Sequence, residues 1–387
     1  MRVSRFFYVV CCALTLATPA FGKPTITSVS DARAAVVTSS ANAPDELQLR
    51  VDVVATTLLL NLQINQNLTR QAAPFVADIA NGKHRVYNGS IDKNPQSWVR
   101  VTLIDGYWVG VIWDGANLWL LDPAIQHLAL ARAIGVPDTG TVVFSASDLQ
   151  MPGGFDDRGV PVPSPAMPAR NTSLISASKA QASTQKYLAM TLVLDTEFQT
   201  AYGSSAASQA VAILNVVQGF YAAQAGVDVY LYSLQPLASD GTLTGTDPNS
   251  LLTAFGTFVS GGAVPFAGDA HLLSGKDFDG STIGLGYIGS LCSSNFSLAV
   301  VQTTFGPAGS GVVMAHELGH NFGAEHDGDG NSCPSSGFIM QASVNFSSLP
   351  TAFSSCSLTY FSDYIAQSSP ACIDSATPDI IFANGFD

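Results

Sequence analysis

The stretch His316-Glu317-Leu318-Gly319-His320-Asn321-Phe322-Gly323-Ala324-Glu325-His326-Asp327 limits what this chain can fold into more than any other. Residues four apart on a helix project from one face a turn apart, so His316 and His320 can share one tetrahedral ion only if the segment between them is helical. Gly323 comes three residues after His320. A glycine there admits a positive φ, ends the helix and swings His326 back toward the same ion. Three protein ligands leave a fourth position for water, as catalytic rather than closed structural zinc sites do. Glu317, beside the ligands, is the candidate to take that water's proton. HExxH alone also fits an amphipathic helix with two polar residues on its outer face. The extended HExxHxxGxxH is far more specific and carries a metalloprotease meaning.

Gly337-Phe338-Ile339-Met340 lies at a suitable distance downstream. With it the chain resembles the metzincins, whose methionine-containing turn lies beneath the zinc, and Met340 is the matching methionine. Asp327, after the third histidine, is similar to the adamalysin/ADAM (reprolysin) branch. Gln341 follows Met340 where astacins and serralysins place a zinc-binding tyrosine, which disfavours both. The same branch is resembled by Lys186-Tyr187-Leu188-Ala189-Met190-Thr191-Leu192-Val193-Leu194-Asp195, by Ala270-His271-Leu272-Leu273, by Asp277-Phe278-Asp279, by Gly284-Leu285-Gly286-Tyr287-Ile288-Gly289-Ser290 and by Phe353-Ser354-Ser355-Cys356-Ser357. The resemblance covers 186–375. It implies a metzincin-type α/β catalytic domain: a mixed, mostly parallel twisted sheet with the zinc-site helix and Met-turn. It further implies one catalytic Zn2+ on His316, His320 and His326, and Glu317 as general base and acid. A polypeptide substrate would lie extended along the edge strand at Thr282, Gly284, Leu285, Gly286 and Tyr287. A zinc amidase acting on small molecules and a catalytically silent binding protein are the alternatives. The first would use the same ligands; the second typically loses the base or a ligand.

Several adamalysins hold a structural calcium through a glutamate on the first strand. The matching position here is Ala189 or its neighbours, none acidic, so calcium is not expected. Asp327-Gly328-Asp329-Gly330-Asn331 begins like a calcium loop but has Ser332 at position six and Phe338 at position twelve, so a polar connection is the better reading.

Residues 1–22 read as a secretory signal: Arg2 and Arg5, an apolar run from Phe6 to Ala17, and small residues before a cut after Gly22. That run is too short to span a membrane stably. Removal takes Cys11 and Cys12 and leaves Cys292, Cys333, Cys356 and Cys372, an even set that suits disulfides in an exported chain and allows three connectivities. The family resemblance implies Cys292 with Cys372 and Cys333 with Cys356. A net charge of −13 with 12% charged residues and no basic cluster argues against nucleic acid or an anionic membrane as partner. No disintegrin-like or cysteine-rich module and no C-terminal span follows the catalytic domain, so a soluble, secreted, monomeric enzyme with a protein or peptide substrate is expected.

Residues 151–185 are rich in Pro, Ser and Ala and read as a linker with the maturation site at 165–187. Before it, 23–150 reads as β-rich: Leu60, Leu62 and Ile64 alternate with polar residues, and runs break at Asp105-Gly106 and Asp114-Gly115. Its segments Val86–Ser90, Ser97–Val101 and Asp105–Gly110 resemble an ADAM propeptide, though less specifically than the zinc motif. The alternative is a binding face built from Trp98, Trp108, Trp113 and Trp119, all of which fall here. With no cysteine between residues 13 and 291, a cysteine thiolate cannot hold the zinc latent. An inhibitory segment would have to cover the cleft or present another ligand, with His84, His127, Asp156 and Asp157 as candidates. Within 186–375 the pattern predicts strands at 187–195, 226–234 and 297–303, an amphipathic helix at 204–224, a helix at 248–260, the zinc helix at 311–322 and a closing helix at 357–367. Residues 376–387 form a short C-terminal tail.

Overall fold

The computed structural model describes residues 25–26, 35–39, 45–53, 56–69, 84–150, 155–156, 159–162, 185–303, 306–344, 349–368 and 370–374. The signal at 1–22, Asp157, most of the Pro-rich stretch and the tail at 376–387 lie outside them.

The N-terminal half opens with β1 (Thr25–Ile26) and continues as a meander in which each strand is antiparallel to the next. Its members are β2 (Ala35–Ser39), β3 (Glu46–Val53), β4 (Thr56–Ile64), β5 (Arg85–Ile91), β6 (Trp98–Ile104), β7 (Tyr107–Trp113), β8 (Leu118–Pro123) and β9 (Thr141–Ser145). β10 (Leu149–Gln150) returns to pair with β1. Short helices α1 (Gln66–Thr69) and α2 (Leu128–Ala133) interrupt the meander. On β3, Leu47, Leu49, Val51 and Val53 are buried while the residues between them are not, the period of a strand with one covered face. β7 is apolar throughout because both its faces are covered. Trp108 and Ile112 join Leu49, Leu60 and Val101 in one cluster. Val111 faces the other way, into a cluster with Leu118, Leu120 and Phe144.

The C-terminal half is an α/β layer structure. Its strands are β11 (Phe155–Asp156), β12 (Val160–Pro161), β13 (Lys186–Leu194), β14 (Val227–Pro236), β15 (Asp269–Ser274), β16 (Gly284–Ile288), β17 (Leu298–Gln302), β18 (Ser343–Val344) and β19 (Ile373–Asp374). Its helices are α3 (Thr196–Tyr202), α4 (Ala206–Gln224), α5 (Pro248–Ser260), α6 (Gly306–Asn321) and α7 (Ser355–Ser368). The main sheet runs β12-β16-β17-β15-β13-β14, with β19 also on β13. β13 is parallel to β14 and β15, and β15 to β17, whereas β16 is antiparallel to β17. Leu188 through Leu194 are all buried because the sheet is covered twice: Leu188, Met190, Leu192 and Leu194 share a core with α4 and α6, and Val193 shares another with α5.

α4 departs from the amphipathic helix expected at 204–224. Every residue from Ser208 to Tyr221 is buried. One side lies on the main sheet and the other on the N-terminal meander, so Val86, Leu120 and Phe144 belong to the same continuous core as Leu192, Leu214 and Val217. Polar groups inside this junction are paired, as burial requires. Asn65 Nδ2 donates to Asn215 Oδ1 at 2.9 Å and to Gln218 Oε1 at 2.5 Å, while Gln218 Nε2 donates to Asp228 Oδ1 at 2.6 Å. Gly219 admits the Trp98 ring, which a β-carbon would meet at 2.5 Å.

The tryptophans do not form an open binding face. Trp98 packs edge-on against Phe220, Trp108 lies beside Tyr87, Trp113 packs on the shared core, and Trp119 Nε1 donates to Asp114 Oδ2 at 2.8 Å. The stretch expected to be only a linker also holds structure. β11 pairs antiparallel with β18, and β12 pairs parallel with β16. Two-residue strands give no period to read. Pro161 is exposed at the outermost strand of the sheet, where proline is tolerated.

Candidate active site

α6 carries the site. Its residues from Pro307 to Asn321 are all buried, with Gly311 letting Val216 of α4 approach and Gly319 letting Met340 approach. The helix ends as the glycine dictates: Gly323 has φ 85°, its N–H donates to His320 O at 2.7 Å, and Ala324 N–H donates to Gly319 O at 3.0 Å. This turn brings His326 back. His326 Nε2 lies 3.3 Å from His316 Nε2 and 3.2 Å from His320 Nε2.

Those distances test whether a zinc ion fits. Tetrahedral nitrogens on zinc, at bonds of about 2.0–2.1 Å, stand about 3.3 Å apart. The tautomers agree as well. His316 Nδ1 donates to Ile339 O at 2.5 Å and His320 Nδ1 to Ala324 O at 2.8 Å, so in both rings Nε2 is the atom that carries the lone pair. His316, His320 and His326 are buried and their ligand atoms lie within 4.8 Å of one another, a group that could hold a metal ion.

Glu317 is 1% exposed and faces β16. Gly284 and Gly286 make this possible, since a β-carbon at Gly284 would lie 2.2 Å from Glu317 Oε1 and one at Gly286 would lie 3.2 Å from Oε2. Leu285 and Tyr287 point into the core with α5, and Thr282 precedes the strand. The helix end and the strand end are tied together. Gly289 N–H donates to His320 O at 2.7 Å, and Asn321 Nδ2 donates to Tyr287 O at 2.9 Å and Ser290 Oγ at 3.1 Å.

Met340 is fully buried with its sulfur against Gly319 of α6, and Asp327 N–H donates to Met340 O at 2.7 Å. Asp327 Oδ1 accepts from Ser354 Oγ at 2.8 Å and Ser357 Oγ at 3.1 Å. Burial pushes the Asp327 carboxyl up, against those hydroxyls and the nearby His316 and His326. Two disulfides brace the region: Cys333–Cys356 ties the segment after His326 to α7, and Cys292–Cys372 ties the turn after β16 to the residue before β19.

Of the other candidate ligands named from the sequence, His84 and His127 are engaged with other partners and are not part of this cluster. His84 bonds Ser208 and Asp105, and His127 bonds Asp122. Asp156 is placed by its backbone pairing with Ser343.

Sequence reading missed a second convergence of charge. Lys276 Nζ lies 3.0 Å from Asp195 Oδ2, 2.9 Å from Glu197 Oε2 and 2.5 Å from Asp240 Oδ2. The three carboxylates could themselves hold a metal ion, but the ammonium lies among them. Burial opposes the Lys276 charge; the bonds to Asp240, Glu197 and Asp195 outweigh it, and its pKa is raised. The only sequence signal was a lysine in an otherwise acidic neighbourhood, Gly275-Lys276-Asp277.

A histidine triad with a carboxylate on the same helical turn, set under a mixed sheet, is the donor set of a metal-dependent hydrolase. Residues 186–377 match the family described as Reprolysin (M12B) family zinc metalloprotease, and this part of the chain belongs to that family. The match carries the metzincin α/β fold and the zinc metalloprotease class with it. Among the described residues, no helix is long and apolar enough to cross a membrane.

Proposed function

We propose that the chain is a secreted, zinc-dependent endopeptidase made as a precursor. Its N-terminal signal at 1–22 would be removed on export, residues 23–150 would form the propeptide domain, and maturation would fall in 165–187. The observation that carries the activity is the 3.2–3.3 Å spacing of the histidine Nε2 atoms with Glu317 on the adjoining turn. When bound at His316, His320 and His326, zinc supplies Lewis-acid polarisation of a water and of the scissile carbonyl.

The chain's own residues do the rest. Glu317 accepts the proton of the attacking water and later returns it to the leaving amine. Its carboxylate is held for this by the glycine faces of β16. Ile339 and Ala324 orient the His316 and His320 rings through their carbonyls. Met340 supports the site from below as the Met-turn residue. Main-chain groups of β16 would bind an extended peptide by strand addition, which favours a polypeptide over a small amide.

The test joins metal analysis to one substitution. The purified mature protein is expected to contain one zinc per chain and to hydrolyse a casein-type substrate, with Glu317→Ala abolishing hydrolysis but keeping the metal. A protein without zinc, or a Glu317→Ala variant as active as the parent, sinks the reading.

A further inference from the structure

The outer side of β16 is a sheet edge, a row of main-chain groups ready to pair with an extended segment. In the full chain that edge is taken. β12 lies along it, parallel, with Val160 opposite Tyr287 and Pro161 opposite Ile288. Immediately upstream, β11 pairs with β18, Phe155 opposite Val344 and Asp156 opposite Ser343. The two anchors flank the histidines. β16 is followed by Gly289, whose N–H donates to His320 O, and β18 follows Gln341, which bridges to Asp327 beside His326.

Between the anchors the fit is close. A β-carbon on Gly159 would lie 2.8 Å from His320 Cε1, 2.9 Å from His320 Nδ1 and 3.0 Å from Ile288 Cδ1. Only a residue without a side chain lets the backbone pass this near the ring. Val160 and Val162 are half-buried and pack on the cluster that contains Leu285, Tyr287 and Phe278.

From these contacts we infer that residues 155–156 and 159–162 are an inhibitory strand, docked in the groove that a peptide substrate must enter. The inference rests on the endopeptidase reading and adds its regulation. Latency then comes from main-chain pairing and from Gly159 lying on His320, and needs no thiolate, in keeping with the absence of cysteine between residues 13 and 291. A substrate cannot add to β16 while β12 is there, because one edge accepts one strand.

The experiment uses the full-length, zinc-loaded chain and compares the parent with Gly159→Val and Val162→Asp. Two readouts are taken: hydrolysis of an internally quenched peptide, and binding of a small zinc-chelating hydroxamate by calorimetry, which needs no turnover. If the groove is open only in a minor fraction of the parent, apparent affinity falls by that fraction, and each variant is expected to gain about tenfold in both readouts. A synthetic peptide of residues 152–164 added to either variant is expected to reverse the gain. Variants that keep their zinc and thermal midpoint, yet bind hydroxamate and cut peptide no better than the parent, overturn the inhibitory strand while leaving the protease reading intact. A gain in hydroxamate binding with no hydrolysis by any form upholds the strand and removes the protease reading.

Discussion

Gly284 stands where a β-carbon would come within 2.2 Å of Glu317 Oε1. The strand beside the site is therefore shaped by its glycines to receive the carboxylate of the neighbouring helix. Gly284→Ala is expected to push Glu317 off its position and lower kcat by about 10²-fold, within the range a general base contributes. Zinc content and KM are expected to hold. Steady-state kinetics with metal analysis checks this, and an unchanged kcat contradicts it.

Lys276 does for Asp195, Glu197 and Asp240 what a bound cation would do. Lys276→Met leaves the carboxylates facing one another, at a cost of roughly 3 kcal/mol, the low end for a broken buried pair because Glu197 is partly exposed. Urea denaturation measures the loss. Millimolar calcium is expected to recover part of it in the variant and to leave the parent unchanged; calcium that stabilises both equally argues against the cage.

The same cluster sets a pH window. Burial works against the Asp240 charge, but bonds from Lys276 and Thr196 outweigh it and hold the carboxyl below its usual value. A lowered folded pKa means the contribution is present above the unfolded value of about 3.9 and is lost as pH falls through the folded one. Lys276 is raised, so its contribution is full below about 10.4 and is lost as pH rises through its folded value. The stability difference between the parent and Lys276→Met is expected to be flat between those limits and to shrink beyond each. A difference that peaks sharply near neutrality would point to another group.

Cys333–Cys356 closes a separation of 23 residues and Cys292–Cys372 one of 80. On a chain-entropy account the two contribute about 3 and about 4.5 kcal/mol. Paired Cys→Ser replacement of each bridge, followed by denaturant titration, is expected to cost more at Cys292 and Cys372. The reverse order would mean that native contacts, not loop length, dominate.

Asn215 accepts from Asn65 and donates to Tyr87 O at 3.2 Å across the junction of the two halves. Asn215→Leu removes one of the two bonds that the Asn65 amide donates, the other going to Gln218, and is expected to cost about 1–3 kcal/mol. Calorimetry and near-ultraviolet dichroism of the parent are expected to show one shared transition, because the halves have one core. Two separated transitions would refute that coupling.

The site was legible because its chemistry is local: one helical turn and one glycine set His316, Glu317, His320 and His326. Elements with a strong local pattern, such as 248–260 and β13, could be read for the same reason. α4 was misread because its outer partner lies about a hundred residues upstream, and nothing in an alanine-rich run tells how many of its sides are covered. β12 was hidden because main-chain pairing leaves no mark on side-chain periodicity. The Lys276 cage was hidden because its members come from three separate segments: Asp195 and Glu197 at the start of α3, Asp240 after β14 and Lys276 after β15.

A cut in 165–187, as proposed, would leave the described contacts between α4 and the meander in place. Stripping away the meander would bare the outer sides of Val211, Leu214 and Val217, along with Asn215 and Gln218, to water. The processed enzyme is thus expected to migrate as a nicked two-polypeptide particle that separates only in denaturant. On the inhibitory-strand proposal, maturation would release a short ribbon of backbone from the histidine site, while the fragment that carried it would stay on as a subunit.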